Sequence, residues 1–133
     1  MIVLLYKVGR NYNAAYRTCE FFGVEKLLTY ECTGHLGGNL FKAKNRVKIE
    51  EIDAIPKHDG VIYLETNGKT DIQNVDWSGI DTICIGGETH DFTSKAFRHI
   101  EKVKIPGFGK VSGLTVEAAL AIALHSWRTY GNN

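Results

Sequence analysis

The chain has 133 residues, a formal net charge of +1, and 44% hydrophobic and 23% charged residues. This composition excludes a disordered or fibrous protein, and the length suits a single domain over residues 1–133 with one hydrophobic core. No apolar run approaches the roughly 18 to 20 residues that span a bilayer, and no basic segment precedes the apolar start. We therefore expect no membrane span and a cytoplasmic location.

The first part of the chain predicts a strand, a helix and a second strand. Residues 2–8 form a continuous apolar run, which is typical of a strand buried on both faces. Asn11 or Asn13 can cap the helix that follows, and Gly23 would end it. Residues 24–30 are predicted to form the second strand.

The second part of the chain continues the alternation. Residues 61–64, 82–85 and 103–105 are three short apolar runs, each followed by a glycine-bearing turn. Residues 93–100 have a helical pattern, and residues 114–127 form a long helix that is apolar nearly all round. This β-α-β order predicts an α/β fold, a parallel sheet with helices on both faces.

The cysteines and histidines show no metal-binding spacing. Cys19, Cys32 and Cys84 are far apart, so we expect free thiols in a reducing compartment. The five histidines are scattered, and we expect no metal site.

Three glycine-bearing loops follow the predicted strands, at residues 64–68, 86–89 and 106–113. In open parallel sheets, ligands bind beyond the carboxyl ends of the strands, and glycines let a backbone approach them closely. None of the loops has the pattern of a phosphate cradle. Such loops by themselves are more often plain turns than ligand sites.

Three segments resemble the motifs of the SpoU/TrmH branch of the SPOUT RNA methyltransferases. Residues 11–23, with Arg17 at the arginine position, resemble the first motif, N-x-G-x-x-x-R-t-a-x-x-f-G. Residues 86–89, Gly-Gly-Glu-Thr, resemble the second motif, G-x-E-x. Residues 105–116 resemble the third, I-P-M-x-G-x-x-x-S-L-N-V, and lead into an alanine-rich helix. The motifs occur in the family's order and cover nearly the whole chain.

This resemblance implies a deep trefoil knot (the SPOUT or alpha-beta knot) in the C-terminal part of the sheet, and a homodimer with active sites at the subunit interface. It implies S-adenosylmethionine as the cofactor and methyl transfer to a ribose 2′-hydroxyl of RNA. We expect tRNA as the substrate, because minimal family members similar to this chain act on tRNA. The residues expected to contact the cofactor, mostly through backbone groups, are Leu64, Gly86, Ile105, Gly113 and Leu114.

The resemblance also names three candidate catalytic residues. Arg17 matches the catalytic arginine, and a guanidinium is not readily deprotonated, so we expect it to stabilise the negative charge developing on the 2′-oxygen. Asn11 would shape the loop or contact the site, and Glu88 would orient Arg17 or a backbone amide. Without the resemblance, these three are an ordinary surface arginine, a helix cap and a solvated turn carboxylate.

Two departures from the third motif leave another function open. Its serine and asparagine are replaced by Gly113 and Thr115. If each lost polar group is worth a few kcal/mol near the chemistry, the rate falls by orders of magnitude. The alternative is a SPOUT-fold protein that binds RNA or a cofactor with weak or no methyltransferase activity. A flavodoxin-like signalling or nucleotide-binding domain fits less well, since only Asp81 and Asp91 lie loosely where it needs acidic residues.

Residues 41–49 alternate strictly, so their cations share one face if the segment is extended. A nearly neutral chain needs such a local patch to hold RNA. The same pattern also suits an edge strand that lysines protect against aggregation. The candidate RNA-binding residues are Arg10, Lys42, Lys44 and Arg46, together with Lys7, Arg17 and Lys48.

Overall fold

The computed structural model describes residues 1–38, 46–87, 97–111 and 113–131. Within these ranges, every pairing between neighbouring strands is parallel. The strands are β1 (Ile2–Tyr6), β2 (Lys26–Tyr30), β3 (Lys48–Glu51), β4 (Val61–Leu64), β5 (Thr70–Asp71), β6 (Thr82–Gly86) and β7 (Glu101–Lys104). They form one sheet in the order β3-β2-β1-β6-β4-β7-β5. The two α-helices are α1 (Tyr12–Phe21) and α2 (Val116–Tyr130).

The predicted α/β fold with a parallel sheet is confirmed, and the central strands follow from their apolar runs. All four residues of β4 and the first four of β6 are buried, because both faces of these strands are covered. β1 ends at Tyr6, two residues before the predicted end, since Lys7 has a φ of 52° and leaves the extended region. The Lys7 amide still donates to the Tyr30 carbonyl, at 3.0 Å.

The two α-helices lie on the same face of the sheet. Their buried side chains share one core with Val3 and Leu5 of β1. The opposite face carries a separate core in which Tyr63 packs on Phe97, beside Ile55 and Ile100. Among the described residues, the two α-helices therefore cover one face of the sheet. Part of the predicted helix at 93–100 lies outside them, and residues 97–100 form a turn.

The Arg128 side chain of α2 binds the backbone at the C-terminal end of α1. Gly23, with a φ of 72°, follows α1 as predicted. Arg128 Nε donates to the Phe22 carbonyl at 2.7 Å, and its Nη2 donates to the Gly23 carbonyl at 3.0 Å. The guanidinium also lies 4.0 Å from the centre of the Trp127 ring. These contacts join the two helices just before β2 begins.

The short strand β5 was not predicted, because two residues carry no periodicity. It forms one edge of the sheet, and β3 forms the other. Neither described helix is long and apolar enough to cross a membrane. The C-terminal knot stays a prediction.

Candidate functional site

The carboxyl ends of β4, β6 and β7 open into a cavity of about 1040 Å³. Five glycines line it, so much of its wall is exposed backbone. All five residues predicted to contact a cofactor also line it: Leu64, Gly86, Ile105, Gly113 and Leu114. The structure thus brings together three loops that are far apart in sequence. The role of these five residues as cofactor contacts stays a prediction.

The first of these loops is a tight turn anchored on β7. The Glu65 amide donates to the Val103 carbonyl and the Gly68 amide donates to the Glu65 carbonyl, both at 2.9 Å. A Cβ on Gly68 would lie 2.7 Å from the Val103 carbonyl carbon and 2.8 Å from that of Lys102. Only glycine fits at residue 68, so the turn packs directly against β7. This contact and the two hydrogen bonds fix the backbone of Thr66 at the cavity wall.

The loop after β7 is more open than this turn. An added Cβ at Gly107 or Gly109 would have no described atom within 4 Å other than its chain neighbours. Phe108 between them is 99% exposed. Further along, a Cβ on Gly113 would lie 3.0 Å from the Thr66 Oγ1. The loop therefore offers room for a ligand except where Thr66 approaches Gly113.

The charged and polar side chains of the cavity are few. Glu65 provides the carboxylate, while Lys104 and Lys110 are the cations among the lining residues. Lys104 Nζ lies 3.6 Å from the Asp71 carboxylate. Thr115 is the N-cap residue of α2, and its side chain makes no capping hydrogen bond within the described chain. No cluster of three or more metal-ligating side chains occurs among the described residues. The donor set suits an organic ligand with an apolar body and a few polar groups.

No protein-family model and no curated protein sequence matches this chain. Solved structures do match. A protein studied for the 2-OH methylation of C/U34 on tRNA superimposes with a TM-score of 0.83, at 18% identity over 99% of this chain and 91% of that one. A proposed RNA methyltransferase from Bacillus anthracis gives 0.77, at 24% identity over 98% and 96%. The SpoU methyltransferase AviRb from Streptomyces viridochromogenes, in complex with the cofactor AdoMet, gives 0.78, at 15% identity over 100% of this chain and 61% of its own.

The chain has the fold of the SpoU/TrmH methyltransferases. At these identities, the likeness establishes the fold and no more. It agrees with the motifs at residues 11–23, 86–89 and 105–116, which pointed to this fold from the sequence alone.

Two of the predicted catalytic residues, Arg17 and Asn11, do not line the cavity of their own chain. Arg17 lies on α1 and is exposed, and its guanidinium makes no hydrogen bond or ion pair with another described residue. Asn11 occupies the N-cap position of α1, but its side chain makes no capping hydrogen bond. Neither lines the cavity. Glu88 lies outside the described residues.

The predicted RNA-binding residues are only partly described. Arg10 is exposed just before α1, with no ion pair to another described residue. Arg46 is also exposed, but its Nη1 lies 3.0 Å from the Glu20 carboxylate. Lys48 begins the edge strand β3, as the alternative interpretation of this basic segment requires. Lys42 and Lys44 lie outside the described residues.

A strained pair of charged residues at the carboxyl ends of β1 and β2 was not predicted. Lys7 and Glu31 follow neighbouring strands, both have a φ of 52°, and their charged groups lie 3.7 Å apart. Tyr6 first, and then Glu31, raise the pKa of Lys7 above its ordinary value. Sequence reasoning also did not identify Lys104 and Lys110 as residues that line the cavity. An isolated lysine gives no indication in the sequence of which loops it lies near.

Proposed function

We propose that this protein is an S-adenosylmethionine-dependent RNA methyltransferase that modifies a ribose 2′-hydroxyl, with tRNA as its substrate. The observation that carries the proposal is the convergence of Leu64, Gly86, Ile105, Gly113 and Leu114 on one cavity. The fold adds support, since solved structures that share it include RNA 2′-O ribose methyltransferases. Three free cysteines agree with the reducing cytoplasm as the compartment.

The cavity fits the proposed cofactor. Its volume of about 1040 Å³ is at the upper end of the range for small-molecule sites. The side chains of Leu64, Ile105 and Leu114 provide apolar walls, while the strand ends expose amides and carbonyls for the purine and the amino-acid part. S-adenosylmethionine would supply the methyl group, on a sulfonium. The glycines would let the backbone close on the ligand.

Arg17 provides the charge that the reaction needs. A ribose hydroxyl is a poor acid, so its oxygen must be stabilised as the proton leaves to an adjacent phosphate or to water. The Arg17 guanidinium keeps its charge and has no described partner that would neutralise it. We propose that it donates hydrogen bonds to the 2′-oxygen and to the neighbouring phosphate.

A second copy of the chain would complete the site. Arg17 and the cavity are separate in one chain, and a homodimer can place the arginine of one copy against the cavity of the other. Apolar side chains remain exposed on both helices, with Phe21 82%, Ile122 39% and Tyr130 67% accessible. Exposed apolar surface of this kind favours association. Arg10, exposed just before α1, would contact RNA phosphates, and this would make binding weaken with salt.

Transfer of a labelled methyl group to total RNA tests the proposal. We expect Arg17→Ala to lower the rate by about 100-fold or more, since removal of one charge-stabilising donor costs that much elsewhere. Binding of S-adenosylhomocysteine, measured by calorimetry, should not change. Equal labelling by wild type and Arg17→Ala would remove Arg17 from the mechanism.

Mixed dimers test whether the site is shared. Leu114→Arg should block the cavity, and Arg17→Ala should remove the arginine. If two copies share each site, co-expression of these two inactive variants should restore about a quarter of the wild-type rate, because half of the dimers are mixed and each has one intact site. No recovery would show that both groups act within one chain.

The alternative is a binding protein of the same fold with weak or no activity. Gly113 and Thr115 favour it, because both line the cavity where the family has serine and asparagine. It predicts that S-adenosylhomocysteine binds but that no RNA tested becomes labelled. Gain of activity on changing Gly113→Ser and Thr115→Asn together would favour this alternative.

A further inference from the structure

We infer that the Thr66 hydroxyl is a ligand-positioning group of the cavity, and that it does the work of the side chain missing at Gly113. This inference rests on the proposed function. It starts from one contact: a Cβ on Gly113 would lie 3.0 Å from Thr66 Oγ1. The hydroxyl thus lies tightly against the position that the Cβ of a serine at residue 113 would take.

Thr66 is held in place by its backbone. The turn from Glu65 to Gly68 closes with a hydrogen bond of 2.9 Å, and the Glu65 amide is fixed to Val103. Gly68 packs against the backbone of β7 so tightly that no other residue fits. The backbone that carries this hydroxyl is fixed before the ligand arrives, so binding costs little ordering of the loop.

The Thr66 hydroxyl is also available. Thr66 lines the cavity and is exposed, and its Oγ1 makes no hydrogen bond with another described residue. Two other threonine hydroxyls near strand ends are used, because Thr70 donates to Glu101 at 2.8 Å and Thr82 to Asp81 at 2.6 Å. A hydroxyl can both donate and accept, so Thr66 suits the ribose hydroxyls or the amino-acid group of a nucleoside methyl donor.

The Thr66 hydroxyl can keep its position only because residue 113 has no side chain. Thr66 and a serine at 113 cannot both keep their positions, because 3.0 Å is too short for an ordinary contact between carbon and oxygen. The two positions are therefore coupled, and the chain supplies its hydroxyl from the turn after β4 instead of from the loop before α2.

Calorimetric binding of S-adenosylhomocysteine tests this inference without any turnover. We expect Thr66→Val, which keeps the shape and removes the hydroxyl, to raise Kd about 3- to 10-fold, the range expected for one hydrogen bond. The matched Thr66→Ser should stay within about twofold of the wild type, because it keeps the hydroxyl. Thermal unfolding of each variant checks that the fold is unchanged.

The coupling with residue 113 gives the second measurement. Gly113→Ser alone should weaken binding by displacing the Thr66 hydroxyl. Gly113→Ser combined with Thr66→Ala should bind more tightly than Thr66→Ala, because the serine then fills the vacated space. Wild-type affinity in Thr66→Val, or independent effects of the two positions, would overturn the inference while leaving the proposed function standing. Failure of the wild type to bind S-adenosylhomocysteine would overturn both.

Discussion

At the amino ends of the strands, polar groups bind one another, whereas at the carboxyl ends the loops turn theirs toward the cavity. Asp81 is the centre of the first arrangement. Its amide donates to Gly60 and its carbonyl accepts from Ile2, both at 2.8 Å, and its carboxylate contacts Thr82 at 2.6 Å and His58 at 2.8 Å.

At the carboxyl ends, three polar side chains of the cavity wall make no hydrogen bond with another described residue. They are those of Thr66, Lys110 and Thr115. The polar groups around Asp81 therefore hold the chain together at the amino ends, whereas these three side chains of the cavity wall are not engaged by other described residues. Changes at the amino end should therefore affect stability alone. Changes at the carboxyl end should affect binding, and stability only where a loop is anchored.

The largest effect is expected at the anchor of the cavity turn. Gly68→Ala should lower the free energy of unfolding by about 2 to 3 kcal/mol, because the new Cβ would meet the backbone of β7 at 2.7 to 2.9 Å. Binding of S-adenosylhomocysteine should weaken as well, since the turn must shift. Gly107→Ala is the matched control, because an added Cβ there meets no described atom within 4 Å. Urea unfolding measures the stability of both variants. A free energy of unfolding for Gly68→Ala equal to that of the wild type would refute the anchoring role of Gly68.

An intermediate effect is expected at the Arg128 contacts, near the start of β2. Arg128→Met should lower the free energy of unfolding by about 1 to 2 kcal/mol, because it removes two charge-assisted hydrogen bonds to carbonyls from an exposed side chain. Affinity for S-adenosylhomocysteine should stay the same. Arg128→Lys keeps the charge and should recover only part of the loss, since it cannot reach both carbonyls in the same geometry. A change in affinity without a change in stability would contradict the division between the two ends.

The smallest effect is expected at Asp81. Burial raises the pKa of its carboxyl, but hydrogen bonds from Thr82 and His58 and nearby positive charge outweigh this and hold the pKa below the ordinary 3.8. A depressed pKa in the folded state adds stability above the unfolded value and loses it as pH falls through the folded value. Asp81→Asn should therefore cost less than about 1 kcal/mol at pH 7, since the pair is largely exposed.

Unfolding in urea at pH 7 and pH 3 checks the sign for Asp81. The difference between wild type and Asp81→Asn should shrink below about pH 4, where the wild-type carboxyl becomes protonated. A difference that grows at pH 3 would show that another group is responsible.

Much of the fold could be predicted because the central strands are continuous apolar runs, which the sequence shows directly. The bounds of β4, Val61–Leu64, are those that the sequence indicated. The end of β1 could not be found, since Val8 continues the apolar run while Lys7 turns into the left-handed region to meet Glu31. β5 could not be found either, because two residues carry no periodicity.

The sequence motifs predicted some residues of the candidate site and missed others. The motifs named five residues that the structure brings to one cavity, because motif spacing records which loops meet. They did not indicate Thr66, whose importance depends on a contact with Gly113 across 47 positions of sequence. The spacing of the motifs also does not show that Arg17 lies outside the cavity of its own chain, since it carries no information on the direction of a helix side chain.

The five glycines of the cavity wall affect how much the sequence of such a protein can change during evolution. Every amino acid except proline has the same backbone amide and carbonyl. A recognition surface made of main chain therefore depends on the path of the chain and tolerates replacement of the side chains around it. Lineages can then exchange most residues and still hold the same small molecule. The solved structures that match this chain share its architecture at 14% to 24% identity, a range in which most side chains have been exchanged.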